Sequence, residues 1–123
     1  MNVVDSSGWL EYFANGANAS FFAPPIEDTA HLIVPALAVV EVFKRVLQQR
    51  DENAALQAAA LLQQGQVVPL DANLALVAAR LSVDLKLPLA DSVMLATARA
   101  HHATFWTQDA DFAAIPGVKY RAN

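Results

Sequence analysis

The chain has 123 residues, of which 55% are hydrophobic, and this is enough for residues 1–123 to form one domain around an apolar core. It contains no cysteine, which excludes disulfides, zinc–thiolate sites and thiol nucleophiles. The formal net charge is −4, from 8 basic and 12 acidic residues without a long basic block, so a broad phosphate-binding patch is not expected.

Two further features bear on location and partners. No basic N-terminal region precedes an apolar segment, and no apolar run approaches the roughly 20 residues of a membrane span, so we expect a cytoplasmic protein. Only 16% of residues are charged, which predicts apolar surface covered by a partner or a second subunit.

The first half of the chain alternates predicted strands and helices. MNVVD reads as a short strand, and SSGWLEYFANG as a helix stopped by Gly16. Residues 19–28 are predicted to be helical in part, interrupted at Pro24-Pro25. HLIVP is a second strand, and ALAVVEVFKRVLQQR a helix that ends near Arg50.

The second half continues this pattern. A helix is predicted from Glu52 to Gln64, followed by the strand QVVPL and the helix DANLALVAARLSVDLKL, with Asp71 as N-cap. After Pro88 come the helix ADSVMLATARAHH, the strand ATFW and a short edge strand, GVKYR. This alternation predicts an α/β fold with a mainly parallel sheet of four to five strands and helices on both faces. Ligands of such sheets bind beyond the carboxyl ends of the strands.

Acidic residues follow the predicted strands. Asp5 ends the first strand, Asp109 and Asp111 follow the fourth, Asp91 opens a helix, and Glu41 lies in an apolar helix. Carboxylates gathered in one crevice would repel each other and raise their pKa values, and a divalent cation would remove that cost. Oxygen ligands without cysteine or a well-placed histidine suit Mg²⁺, or Mn²⁺ in its place, rather than zinc.

Structural explanations compete with this one. A single Asp at a strand–helix junction is an ordinary N-cap, and we assign only that role to Asp71. Asp109 and Asp111 alone also suit a turn. Glu41 has a possible ion-pair partner at i+4, Arg45. The three histidines are predicted to be structural: His31, His101 and His102.

Three segments together resemble the PIN-domain family, and within it the VapC-like toxins of type II toxin–antitoxin pairs: VVDSSGWLEYF, VPALAVVEVFKRVL and LPLADSVMLATARAHHATFWTQDADF. The resemblance covers essentially the whole chain. It implies a three-layer α/β/α sandwich with a Mg²⁺-dependent endoribonuclease activity, in which metal-activated water hydrolyses RNA phosphodiester bonds.

The resemblance also assigns roles by position. The family's four acids fall on Asp5, Glu41, Asp91 and Asp109, which would bind metal and carry catalysis. Supporting positions fall on Asp111, Thr107 and Ser6, with Asp109 rather than Asp111 as the main ligand and Asp111 as a helix cap. Trp106 and Ala36 depart from the residues usual there. Candidates for contacting RNA phosphates are Lys44, Arg45 and Arg99, all equally suited to be solvated surface charges.

The partners that the resemblance implies are an RNA substrate, a second copy of the chain in a homodimer, and a small antitoxin lying in an apolar groove. Residues suited either to that groove or to the core are Phe21, Phe22, Pro24 and Pro25. The main alternative is a phosphoacceptor receiver domain with Asp71 as acceptor, but it leaves Glu41 unexplained. A dehalogenase-like phosphatase needs an acid where Ser7 stands, and a non-catalytic PIN-like interaction module would not need its carboxylates intact.

Overall fold

A computed structural model of the protein describes all residues, 1–123. Its sheet has five strands: β1 (Asn2–Val4), β2 (Leu32–Pro35), β3 (Gln66–Val68), β4 (Thr104–Thr107) and β5 (Val118–Tyr120). Every neighbouring pair is parallel, and the strand order is β3-β2-β1-β4-β5. The predicted parallel sheet is confirmed, and the segment GVKYR supplies the edge strand β5.

Six helices cover the sheet: α1 (Ser6–Phe13), α2 (Ala19–Glu27), α3 (Ala36–Gln49), α4 (Glu52–Leu62), α5 (Ala72–Leu85) and α6 (Leu89–Ala100). The chain moves from β1 to β3 in one direction and returns to β4 in the other. Right-handed crossovers therefore place α1 to α4 on one face and α5 and α6 on the opposite face. The expected three-layer α/β/α sandwich is confirmed.

The core lies along the central strands. Val3, Val4, Ile33, Val34 and Phe105 have at most 1% of their surface exposed, because helices cover both faces of the sheet. Helix α1 approaches closely at Gly8, where a Cβ atom would lie 2.6 Å from the Phe22 ring and 2.8 Å from Val4 Cγ1.

The prediction that Pro24-Pro25 interrupts the second helix is wrong. Helix α2 runs through both prolines, although each removes a backbone donor. Its buried residues Phe22, Pro25 and Ile26 pack into the core, so tertiary burial outweighs the lost hydrogen bonds. Phe22 and Pro25 thus belong to the core, whereas Phe21 is half-buried and Pro24 is exposed.

Helix ends differ in detail from the prediction. Helix α1 ends at Phe13, before the predicted stop at Gly16, and Asn15 takes the left-handed conformation with φ of 52°. The predicted N-cap of α5 is confirmed, since the Leu74 N–H donates to Asp71 Oδ1 at 2.8 Å. No helix combines the length and the apolar character that crossing a membrane requires.

Candidate metal centre

The order of the strands reverses beside β1, which has β2 on one side and β4 on the other. The carboxyl ends of β1 and β4 meet at this point, with Asp5 directly after β1 and Thr107 as the last residue of β4. Parallel α/β sheets open a crevice for ligands at such a reversal.

The carboxylate of Asp5 is buried and held by three donors. Its Oδ1 accepts from the Ser6 N–H at 2.8 Å, and its Oδ2 accepts from the hydroxyls of Thr107 at 2.9 Å and Ser7 at 3.1 Å. Burial raises the pKa of Asp5, an effect that the three hydrogen bonds oppose. Ser7 was not among the predicted site residues. The signal that could have identified it is a hydroxyl two residues after an Asp at the end of a strand.

The segment after β4 is ordered around Thr107. Its Oγ1, fully buried, accepts from the Asp109 N–H at 3.0 Å while its hydroxyl donates to Asp5. Asp109 Oδ1 in turn accepts from the Asp111 N–H at 2.9 Å and caps the short 3-10 helix Ala110–Phe112. The expectation that Asp111 is the cap is therefore wrong, because Asp109 takes that role.

Three carboxylates come together at the mouth of the crevice. Asp91, Asp109 and Asp111 each offer an oxygen, and these oxygens all lie within 4.8 Å of one another. Asp91 and Asp109 are half-buried, and Asp111 is exposed. Asp5 and Glu41 lie outside this close group, although both of their charges act on Asp91.

Crowding of negative charge is strongest at Asp91. Its pKa is raised to about 7, mainly by burial and then by the charges of four neighbouring acids, namely Asp5, Asp109, Asp111 and Glu41. A bound cation would remove this repulsion. Because every donor is a carboxylate oxygen and the chain has no cysteine, the group fits a hard divalent cation.

Glu41 reaches the crevice from α3. It is half-buried, and its Oε1 accepts a hydrogen bond of 2.8 Å from the Ser6 hydroxyl. Glu41 does not form the possible ion pair with Arg45. The one ion pair in the chain joins His31 to Asp28. Ser6 therefore links the second predicted acid to the turn that carries Asp5.

The basic candidates separate into two groups. Lys44 and Arg45 line a pocket of about 300 Å³ together with Ser6, Ser7 and Glu41, beside the acids. Arg99 is in the last turn of α6, about 12 Å along the helix from Asp91, and its pocket includes Val68 and His101 instead. The structure therefore does not bring Arg99 to the candidate site.

None of the three histidines belongs to the acidic group. His31 closes a 3-10 turn, and its Nδ1 lies 3.0 Å from Asp28 Oδ1. His101 is the C-cap residue of α6, and His102 follows it with φ of 51°. These positions agree with the predicted structural roles.

Solved structures of several toxins share this fold. A toxin–antitoxin complex from Klebsiella pneumoniae matches with a TM-score of 0.81 and 22% identity, over 97% of this chain and 96% of that chain. VapC20 of Mycobacterium tuberculosis, a sarcin–ricin loop cleaving toxin, gives 0.76 and 18%, over 94% and 95%. VapBC2 of Rickettsia felis, bound to promoter DNA, gives 0.73 and 12%, over 98% and 97%.

Curated protein sequences gave no match to the chain. The family model of the PIN domain, by contrast, matches residues 3–118. This match includes every acid of the candidate metal centre and all five strands except the first residue of β1 and the last two of β5. The chain belongs to the PIN domain family.

Proposed function

We propose that the protein is an endoribonuclease that uses Mg²⁺, with Mn²⁺ as a substitute, and acts as the VapC-like toxin of a type II toxin–antitoxin pair, with residues 1–123 as one catalytic domain. The observation that carries the proposal is the group of Asp91, Asp109 and Asp111 oxygens within 4.8 Å of one another, beside the buried Asp5. The similar structures support it, since they include an RNA-cleaving toxin and toxin–antitoxin complexes.

The acids have distinct tasks in this proposal. Asp5, Asp91 and Asp109, together with Glu41, would hold the cation, while Asp111 supports them from the surface. A bound divalent cation stabilises charge on the phosphoryl group and lowers the pKa of water. Asp5 is fixed by its three donors and serves as the rigid anchor of the site.

Proton transfer falls to the two acids that are not held as tightly as Asp5. Glu41 is oriented by the Ser6 hydroxyl and keeps its second oxygen free to accept a proton from attacking water. Asp91, with a pKa of about 7 in the metal-free chain, is partly protonated near neutral pH, and a bound cation would favour its ionised form. Thr107 and Ser6 act as positioning residues for these carboxylates.

The substrate needs positive charge near the acids. Lys44 and Arg45 supply it from the pocket beside Glu41, and neither is engaged by an ion pair. We therefore assign RNA phosphate contacts to these two residues and not to Arg99.

Two exposed apolar surfaces support the proposed homodimer and antitoxin contacts. Helix α5 exposes Leu76, Val77 and Val83 by 51% to 77% of their surface. A separate groove of about 650 Å³ is lined by residues that include Val40, Leu47 and Val67. Two separate apolar surfaces suit a homodimer contact and an antitoxin segment. We place the protein in the cytoplasm, where it would meet its RNA substrate.

A receiver domain is disfavoured by the topology. Receiver-type sheets have the order 2-1-3-4-5, whereas this chain has β3-β2-β1-β4-β5. Asp71, the acceptor of that alternative, caps α5 instead of joining the acidic group.

The test is cleavage of RNA by purified protein with Mg²⁺, with Mn²⁺ and with EDTA. We expect cleavage with either metal, none with EDTA, and none from Asp5→Asn, while the remote cap variant Asp71→Asn remains active. Cleavage that survives both EDTA and Asp5→Asn would refute the metal mechanism. A folded protein that binds a partner and leaves RNA intact under all conditions would favour the non-catalytic module.

A further inference from the structure

Two cations lie on aromatic rings at the β5 edge of the sheet. The Arg121 guanidinium carbon lies 4.8 Å from the centre of the Phe21 ring, and Lys119 Nζ lies 4.5 Å from the Trp106 ring. The two rings are themselves 5.1 Å apart. Phe21, Trp106, Lys119 and Arg121 thus form one continuous surface, the β5 ledge.

This ledge begins at the carboxyl ends of β4 and β5, the end of the sheet where the metal centre lies. The backbone N–H of Arg121 donates to the Thr107 carbonyl at 3.1 Å, and the hydroxyl of Thr107 donates to Asp5. The buried Asn18 fixes the neighbouring backbone, because its Nδ2 donates to Gln108 Oε1 at 3.1 Å and to the Ala122 carbonyl at 3.0 Å. The ledge therefore has a fixed position relative to the acids.

Ordinary charge pairing does not account for Arg121. It is exposed and makes no ion pair, although an acidic cluster lies at the same edge. Its guanidinium lies over the Phe21 ring and has no charged partner in the chain, so it is available to a ligand. A guanidinium held in this way can stack on a nucleobase and donate to a phosphate.

With the ledge included, positive side chains lie on both sides of the acidic group. Lys44 and Arg45, in the second half of α3, line a pocket with Glu41 on the β2 side, and Arg121 directly follows β5. Three strand spacings of about 4.8 Å separate β2 from β5, or about 14 Å. A chain with net charge −4 needs such flanking cations to bring a phosphodiester over its carboxylates.

We propose that Arg121, positioned by Phe21, binds single-stranded RNA on the β5 side of the metal centre, by stacking on a base and by contacting a phosphate. The inference rests on the proposed function and deepens it, because it assigns one end of the path that the substrate strand follows. Lys119 on Trp106 extends the same surface along β5.

The experiment measures binding of a labelled single-stranded RNA by fluorescence anisotropy over a range of salt concentrations, in an Asp109→Asn background that prevents cleavage. Arg121→Gln should weaken binding about five-fold and lower the salt slope by about 0.7, the value for one phosphate contact on a single strand. Arg121→Lys should keep the slope and lose affinity, because the charge stays and the stacking plane is lost. Phe21→Leu should likewise lose affinity at an unchanged slope.

Arg99→Gln is the matched control, since Arg99 is also exposed but lies at the end of α6 that is far from Asp91. Its binding should equal that of the parent. The inference is overturned if Arg121→Gln binds RNA as well as Arg99→Gln does. The proposed function fails separately, since RNA that binds through Arg121 but is never cleaved by the unmodified chain would contradict the nuclease and not the ledge.

Discussion

The hydroxyl of Thr107 donates a hydrogen bond of 2.9 Å to Asp5 Oδ2, and its oxygen accepts one of 3.0 Å from the Asp109 N–H. One buried side chain thus positions two carboxylates that are more than a hundred residues apart in sequence. The contact joins the ends of β1 and β4, so the site depends on correct pairing of these strands.

Replacing Thr107 by valine keeps the shape of the side chain and removes both hydrogen bonds. We expect Thr107→Val to lose about 1–3 kcal/mol of unfolding free energy, because Asp5 keeps its buried charge with one donor fewer. RNA cleavage should fall about ten-fold or more as Asp5 and Asp109 lose their alignment. Urea unfolding and single-turnover cleavage at saturating Mg²⁺ measure the two effects.

Thr107→Ser is the control for this substitution, since it keeps the hydroxyl and loses only a methyl group. Its cleavage should stay within a few-fold of the parent rate. Equal losses in the serine and valine variants would mean that packing, and not the hydroxyl, is what Thr107 contributes.

Metal-free protein should become less stable as pH rises. The pKa of Asp91 is about 7 in the folded chain and ordinarily 3.8, the value expected when the chain is unfolded, so between these values the folded form binds a proton that the unfolded form lacks. Unfolding free energy therefore falls across this window, by roughly 1–2 kcal/mol once solvent screening at a half-exposed carboxyl is allowed for. The raised pKa of Asp5 acts in the same direction.

Urea unfolding in EDTA at pH 5 and pH 8 measures this loss. Asp91→Asn should be the more stable protein at pH 8 and should show a smaller dependence on pH, with the remainder due to Asp5. Adding Mg²⁺ at pH 8 should restore stability to the parent and do less for Asp91→Asn. A parent protein that is more stable at pH 8 than at pH 5 in EDTA would contradict the assignment.

Local sequence signals predicted the fold well, because each of them acts over a few residues. The apolar runs at Val3-Val4 and Ile33-Val34 became central strands, and Asp71 became a cap. The failure at Pro24-Pro25 has the opposite cause. Helix α2 is kept by burial of side chains such as Phe22 against distant elements, which no local rule contains.

Only part of the candidate site could be predicted from such local sequence signals. Strand-end position identified Asp5 and Asp109, but it could not show that Asp111 stands within 4.8 Å of Asp91. Nor could spacing decide the partner of Glu41. The i+4 spacing allowed Arg45 as a partner, whereas the fold places the Ser6 hydroxyl beside Glu41, from an element outside α3.

The close approach of α1 to the core yields a prediction about stability. Gly8→Ala would place a methyl group 2.6 Å from the Phe22 ring and 2.8 Å from Val4 Cγ1, so the helix or the ring must move. Overpacking of about 1–3 kcal/mol should exceed the roughly 1 kcal/mol that alanine gains in a helix, giving a net loss. Adding Phe22→Leu should recover part of it in a double-mutant cycle, and strictly additive losses would contradict the contact.

The two carboxylates after β4 should differ in their effect on cleavage. Asp109 is half-buried, with one oxygen fixed by the Asp111 N–H, so its position does not depend on a bound metal. Asp111 is exposed and accepts no hydrogen bond, so no donor in the chain fixes its carboxylate beside the other two. We expect Asp109→Asn to abolish cleavage and Asp111→Asn to weaken it about ten-fold, because only the first loses a pre-positioned ligand. Asp109→Asn keeps a side-chain oxygen that can accept the cap hydrogen bond, and Asp111→Asn keeps the backbone N–H that donates it.

Asp71→Asn, at the N-cap of α5, is the control, because it removes an acid that lies outside the metal centre. Metal titrations of the three variants, followed by thermal stabilisation, should rank their affinities for Mg²⁺ in the order Asp71→Asn, Asp111→Asn, Asp109→Asn, from tightest to weakest. A stronger effect at Asp111 than at Asp109 would reverse the roles of the two acids and leave the family assignment intact.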